Sequence, residues 1–185
     1  MYTRNFVGRS GKIYLGSMEA PTQKEAPNEY PGGYVMTYDP KTGIAECLGV
    51  PCSKKGVIDV VADEERNIIY IVLVGAEKPW VLYDMEAREY RGLGSILTVC
   101  GTTLIDSRGY ASAITKDFEL AQYNPDTGII TVCVIVVGGK KLMPGHRHRW
   151  APIWQSWWRW QDSLLNTNAR SHTLCHQPFQ LGNGC

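Results

Sequence analysis

Short runs dominated by apolar residues alternate with clusters of turn-forming residues along most of this chain. Such runs, bounded by Gly, Pro, Asn and Asp, are the pattern of short strands in an antiparallel sheet. The clearest stretch reads GVIDVVA as a strand, DEERN as a turn, IIYIVLV as a strand, GAEK as a loop, PWVLYD as a strand, MEAR as a turn and EYRGLG as a fourth strand. The same order returns as LTVCGTTLI, DSRG, YASAI, TKD, FELAQY, NPDTG and IITVCVIVV. An earlier copy supplies GRSG, KIYLGS, a long loop, YVMTYD, PKTG and IAECLG. Each copy is expected to form four antiparallel strands in a meander of about 40 residues. The expected bounds are residues 1–51, 55–96 and 97–139.

Three related heptads mark the copies: YDPKTGI at 38–44, YDMEARE at 83–89 and YNPDTGI at 123–129. Their tyrosines, Tyr38, Tyr83 and Tyr123, lie 45 and 40 positions apart. A second set, Tyr14, Tyr70 and Tyr110, precedes them by 24, 13 and 13 positions, which implies an insertion of eleven residues in the first copy. The letters between are turn chemistry. Asp39 or Asn124 can bond its own backbone two residues on, Pro40 or Pro125 presets φ near −65°, and Gly43 or Gly128 takes the left-handed position that closes the hairpin. The middle copy lacks both Pro and Gly, so the turn from Met85 to Arg88 is expected to be the least rigid of the three.

Alternation puts Val35, Trp80 and Leu120 at equivalent positions on one face of the third strand. Met36, Val81 and Ala121 share the other face with the heptad tyrosines. A small sheet apolar on both faces must stack on sister sheets, and radial stacking of four-stranded sheets is a β-propeller. Over residues 4–139 the chain resembles the propeller superfamily whose blades carry a Y-D-P-x-T-G hairpin, with its YVTN-type, quinoprotein-like and gluconolactonase-like members. The WD40 pattern of Gly-His start and Trp-Asp end is absent. Kelch repeats share YVMTYDP and a double glycine, but Gly32-Gly33 is placed differently and no Trp follows the turn. The resemblance implies an all-β chain: three four-stranded antiparallel blades of an incomplete propeller, followed by an irregular tail over 140–185. A closed propeller typically has four to eight blades. Three leave two sheet faces open, so the chain is expected to be a piece of a longer protein or to close its ring by association through those faces.

Composition narrows the partners. With 185 residues, 44% hydrophobic and 20% charged, the chain can bury a core, and its net charge of +1 gives no drive towards nucleic acid or anionic membrane. The opening MYTRNFVGRSGK lacks the apolar stretch of a signal peptide, and no segment has the roughly 20 apolar residues that span a bilayer. Compartment is left open. The six cysteines, Cys47, Cys52, Cys100, Cys133, Cys175 and Cys185, show no C-x-x-C spacing and are expected to be buried thiols, with no metal and no cofactor.

The tail departs from the pattern. Residues 146–185 hold five of the six tryptophans and all four histidines. His146, His148, His172, Cys175 and His176 match no zinc spacing, and WAPIWQSWWRW carries too little basic charge for an interfacial anchor. Tryptophan has one codon, and moving the frame of WQSWWRWQ by two bases gives Ala, Val, Leu or Met, a strand-like composition. The expected reading is a frameshifted, misjoined or disordered segment.

Ligands of a propeller sit on loops joining the second to the third strand and one blade to the next. The insertion at 18–33 offers Glu19, Lys24, Glu25, Asn28, Glu29 and Tyr30. The matching short loops offer Glu77 and Lys78, then Lys116 and Asp117, and the first inter-unit link adds Lys54 and Lys55. Asp59 interrupts an apolar run in an innermost strand and could face a central channel, where the gluconolactonase-like relatives gather carboxylates around a metal. The catalytic motifs G-x-S-x-G, P-loop and H-E-x-x-H are absent, and histidine is absent from all three copies. The expected function is a non-catalytic binding or scaffold module for a carbohydrate, polymer or protein. The alternatives are a piece of a metal-assisted lactonase or lyase-like enzyme, or a truncated product without activity of its own.

Overall fold

The computed structural model describes residues 5–18, 30–74, 79–95, 98–115, 117, 119–137, 140–141 and 175–176. These residues are all-β. Unit one is β1 (Phe6–Val7), β2 (Ile13–Gly16), β3 (Val35–Asp39) and β4 (Ile44–Gly49). Unit two is β5 (Val57–Asp63), β6 (Ile68–Leu73), β7 (Pro79–Asp84) and β8 (Glu89–Ser95). Unit three is β9 (Thr98–Ile105), β10 (Ala111–Thr115), β11 (Glu119–Asn124) and β12 (Ile129–Val134). Each unit is an antiparallel meander with strands in sequence order. Among the described residues three short strands follow β12. β13 (Val136–Val137) pairs with β14 (Lys140–Lys141), and β15 (Cys175–His176) adds a fifth strand beyond β12, with Cys133 opposite Cys175.

Register fixes the faces. In unit two the row Val61, Tyr70, Leu82 looks one way, and the row Ala62, Ile69, Tyr83, Tyr90 looks the other. The first row joins Trp80, Ala111, Ala121, Tyr123 and Ile130 in one apolar cluster, which seals unit two against unit three. The second joins Tyr14 and Val35 of unit one in another. The middle sheet is therefore dry on both faces. Because Val35 of unit one and Trp80 of unit two are equivalent, the same face of each sheet looks towards the next unit. Contacts between units concentrate at the inner strands, β1 and β2 on β5, then β5 and β6 on β9. Among the described residues, long side chains reach across the outer strands of the first joint: Arg88 pairs with Glu46 at 2.7 Å, and Tyr90 OH donates to Leu48 O at 3.2 Å. The sheets thus converge inward and splay outward, as blades do.

The turns repeat in geometry more faithfully than in letters. Gly43, Arg88 and Gly128 have φ of 72°, 57° and 70°, and Gly11, Asn67 and Gly109 have 91°, 56° and 82°. The middle heptad turn, expected to be the loosest, has the shape of its sisters. Asp84 Oδ1 accepts from Glu86 N and Ala87 N, as Asn124 Oδ1 accepts from Asp126 N and Thr127 N. The cap is common to turns with and without proline and glycine, and Arg88 takes the left-handed position that Gly43 and Gly128 hold in its sisters. The alignment of the upstream tyrosines fails on register. Tyr14 and Tyr70 occupy equivalent sites opposite Thr37 and Leu82, but the corresponding residue of unit three is Ser112, opposite Gln122. Tyr110 lies two positions earlier, with the Arg108 guanidinium 4.3 Å over its ring. The connection into the third strand is two residues shorter in unit three, so equal tyrosine spacing was a coincidence of letters.

Candidate functional site: two ends of the sheet stack

The end of the stack expected to bind carries the loops after β2, β6 and β10. Glu19, Lys24, Glu25, Asn28, Glu29, Glu77, Lys78 and Lys116 lie outside the described residues. Tyr30 is half-buried, and its hydroxyl is enclosed with no hydrogen-bond partner among the described residues. Asp117 is exposed, and its N–H donates to Thr115 Oγ1 at 3.3 Å. Lys54 and Lys55 belong to a clamp that closes the insertion. Lys54 N donates to Pro31 O at 3.0 Å, Gly33 N to Lys55 O at 2.8 Å, and Val57 N to Ser17 O at 2.9 Å. The double glycine serves this crossing. A Cβ on Gly33 would meet Ser17 O, Val57 N and Gly56 Cα, all backbone, and Gly32 has φ of 126°. The ends of the long loop are thereby fixed to the start of β5.

Asp59 is 2% exposed and sits in the row of Val72 and Trp80 that faces unit three. Its Oδ2 accepts the Thr103 N–H of β9 at 2.7 Å. The irregularity between Val57 and Asp59 breaks the alternation there, so Val57 packs towards unit one while Asp59, in step with Val61, faces unit three. The carboxylate expected in a channel ties one inner strand to the next. Among the described residues no group of three or more His, Cys, Asp or Glu is arranged to hold a metal. Of the cysteines expected to be buried, Cys47 is exposed and Cys52 half-buried, while Cys133 is buried.

The opposite end, built by the strand hairpins, holds two clefts that sequence reasoning passed over. The first, of about 370 Å³, is lined by Ser10, Lys12, Tyr14, Asp39, Lys41, Glu64, Asn67 and Met85. The second, of about 350 Å³, lies over the joint between units two and three and includes Arg9, Asp63, Arg66, Ile105, Asp106 and Gly109. The β5–β6 turn is the cause of the first. It runs from Asp63 to Ile68, one residue longer than the matching turns from Gly8 to Lys12 and from Asp106 to Tyr110. The longer turn carries Glu64 onto unit one, where it accepts Ser10 N at 2.8 Å, Ser10 Oγ at 2.6 Å and Tyr14 OH at 3.0 Å. Gly8 leaves the room: a Cβ there would collide with the Glu64 carboxylate. Arg9 pairs with Glu65 beside it. At the second joint Arg66 bonds Asp63 at 3.1 Å and reaches Asp126 of unit three at 3.6 Å, passing over Gly109.

The electrostatics of the first cleft favour holding over proton transfer. Burial works to raise the Glu64 carboxyl, but the bonds from Ser10 and Tyr14, with the Lys12 cation nearby, outweigh it and keep the group below the usual glutamate value. Burial, the bond to Glu64 and the Glu64 charge push the Tyr14 phenol up. The Lys41 backbone N–H leads the bonds that hold Asp39 below the usual aspartate value. Lys41 Nζ in turn donates to Ser10 O at 2.8 Å. A carboxylate made less basic and already committed to three donors is a poor general base, whereas a general base works best poised near the operating pH. The charge in the DEERN turn was visible in the sequence, but its partner 54 residues away was not.

No family model matches the chain, and no curated protein matches it. Among the described residues no helix is long and apolar enough to cross a membrane.

Proposed function

We propose that the chain is a non-catalytic binding or scaffold module, part of a β-propeller of the Y-D-P-x-T-G type, which presents loops to a carbohydrate, polymer or protein ligand. One observation carries this reading: the chemistry-bearing side chains at the joints are spent on one another. Asp59 holds the Thr103 amide, Glu64 holds Ser10 and Tyr14, and Asp63 holds Arg66. Such bonds make a stiff frame, and a stiff frame lets loops bind without large ordering costs. The insertion at 18–33, pinned at both ends, is the segment that frame presents best, with Tyr30, Asn28 and its glutamates as contact groups.

The test is an NMR titration of the purified chain with soluble polysaccharides and their oligosaccharides, run beside hydrolysis assays on lactone and ester substrates with and without calcium. Saturable shifts at Tyr30, at Asp117 and along 18–33, without turnover, are the expected result. Calcium-dependent turnover of a lactone overturns the reading in favour of a propeller enzyme.

A further inference from the structure

The heptad tyrosine behaves differently in unit one. Tyr83 is 2% exposed and Tyr123 9%, each buried in the joint with the preceding unit, but the equivalent Tyr38 is 37% exposed. Its neighbours on that face are the rows Ile13, Tyr38, Ala45 and Leu15, Met36, Cys47, which contain no charge. Unit three shows the converse. The side that looks onward, equivalent to that of Val35 and Trp80, carries the rows Leu104, Ser112, Gln122, Thr131 and Ile114, Leu120, Cys133, also uncharged. Val35 and Trp80 are 0% and 1% exposed, while Leu120, like Ile114, Ser112 and Gln122 beside it, is half-buried, and only Cys133, next to β15, is buried in those rows. One open face is the receiving half of a joint already made twice within the chain, and the other is the presenting half.

We propose that two copies of this chain close head to tail, the receiving face of unit one on each copy meeting the presenting face of unit three on the other. This deepens the propeller reading above and rests on it. A two-fold axis then makes the new joint twice, leaves no sheet face open, and gives six blades, within the range at which propellers close. The second copy is the occupant argued for because the proposed contact continues the series of internal joints. Each joint sets an onward face against a tyrosine-bearing face, and among the described residues one face of each kind carries no sister unit. The contact pairs unlike surfaces, so it differs from the self-complementary patch of a common dimer.

Native mass spectrometry and light scattering of the intact chain test this. The expected species has twice the 20.7 kDa chain mass. Tyr38→Glu and, separately, Leu120→Glu are each expected to lose the dimer and run as single chains, with far-UV circular dichroism unchanged. An equimolar mixture of the two variants is expected to regain a dimer, because one of its two joints then unites two unaltered faces. Neither variant could rescue the other through misfolding, so the mixture separates lost contact from lost fold. A wild-type monomer with a cooperative melt, an open series of growing oligomers, or a dimer abolished by Tyr38→Glu but left intact by Leu120→Glu overturns the proposal. The ligand titration reports separately on the binding reading.

Discussion

Replacing Glu64 with alanine removes the acceptor that ties the β5–β6 turn to unit one. Three donors lose their partner: Ser10 N, Ser10 Oγ and Tyr14 OH. A hydrogen bond to a charged group contributes about 1.5–3 kcal/mol when its partner is left buried, and far less when water replaces it. Ser10 is exposed and is resolvated, so its two bonds count for about 0.5 kcal/mol each. Tyr14 is 2% exposed, so its hydroxyl carries most of the penalty. The sum is about 2.5–4 kcal/mol, or about 5–15 °C in Tm for a chain of this size. The stability difference also depends on pH. The folded-state pKa of Glu64 is lowered, so its stabilisation is present above the unfolded value of 4.5 and is lost as pH falls through the lower folded value. Urea and thermal unfolding followed by far-UV circular dichroism at pH 7 and pH 3 measure it. Tryptophan emission is unsuitable because five of the six tryptophans lie in the tail. The gap between wild type and Glu64→Ala is expected to narrow sharply at pH 3. A gap below 1 °C at pH 7, or one equal at both pH values, refutes the claim that an ionised Glu64 holds the first joint.

Other outcomes follow from particular contacts. Gly33→Ala drives a methyl into three backbone atoms and is expected to cost about 3 kcal/mol or more by urea melt, since overpacking costs about 1–3 kcal/mol even where side chains can yield. At Arg88, where φ is 57°, valine is expected to be less stable than glycine by about 1–2 kcal/mol, while glycine costs only the exposed pair with Glu46. Asp59→Leu should strip hydrogen-exchange protection from the Thr103 amide, and Asp59→Asn, which keeps an acceptor oxygen, should retain most of it. Trp80→Ala, at the centre of the second joint, is expected to cost about 3–5 kcal/mol in the same melts.

What could be read from the sequence was whatever the chain decides locally. Strand positions follow from runs such as IIYIVL, and the hairpins from an Asp or Asn that caps its own turn, so these were legible before any coordinates. The middle turn shows the limit even there, because it takes its sisters' shape with Arg88 in the left-handed position expected of glycine. Joints are different in kind. Gly8 is required by a carboxylate on the next unit, and Gly33 by the backbone of Ser17 and Val57. Neither requirement leaves a mark near the residue it constrains. Asp59 was conspicuous as a charge in an apolar run, but whether it met a metal or an amide depended on Thr103, 44 positions away. The expected ligand loops fall largely outside the described residues, so the legible part of the site is its foundation.

The two internal joints use the same faces with different sizes, and that difference orders the units. In the first, Gly16 and Val35 look onward beside Tyr14, and Val57, Val60, Ile69 and Ile71 fill the space, with Val57 seated where a Cβ on Gly16 would be. In the second the size at the third-strand position reverses. Trp80 and Tyr70 look onward, and Ala111, Ala113 and Ala121 give way to them, leaving Tyr123 to close edge-on to both rings at 6.5 and 5.9 Å. Exchanging the partners would set Trp80 against Ile69 and Ile71, and Val35 against three alanines, an overpacked joint and a hollow one, each unfavourable by several kcal/mol. Size therefore keys each face to its own partner.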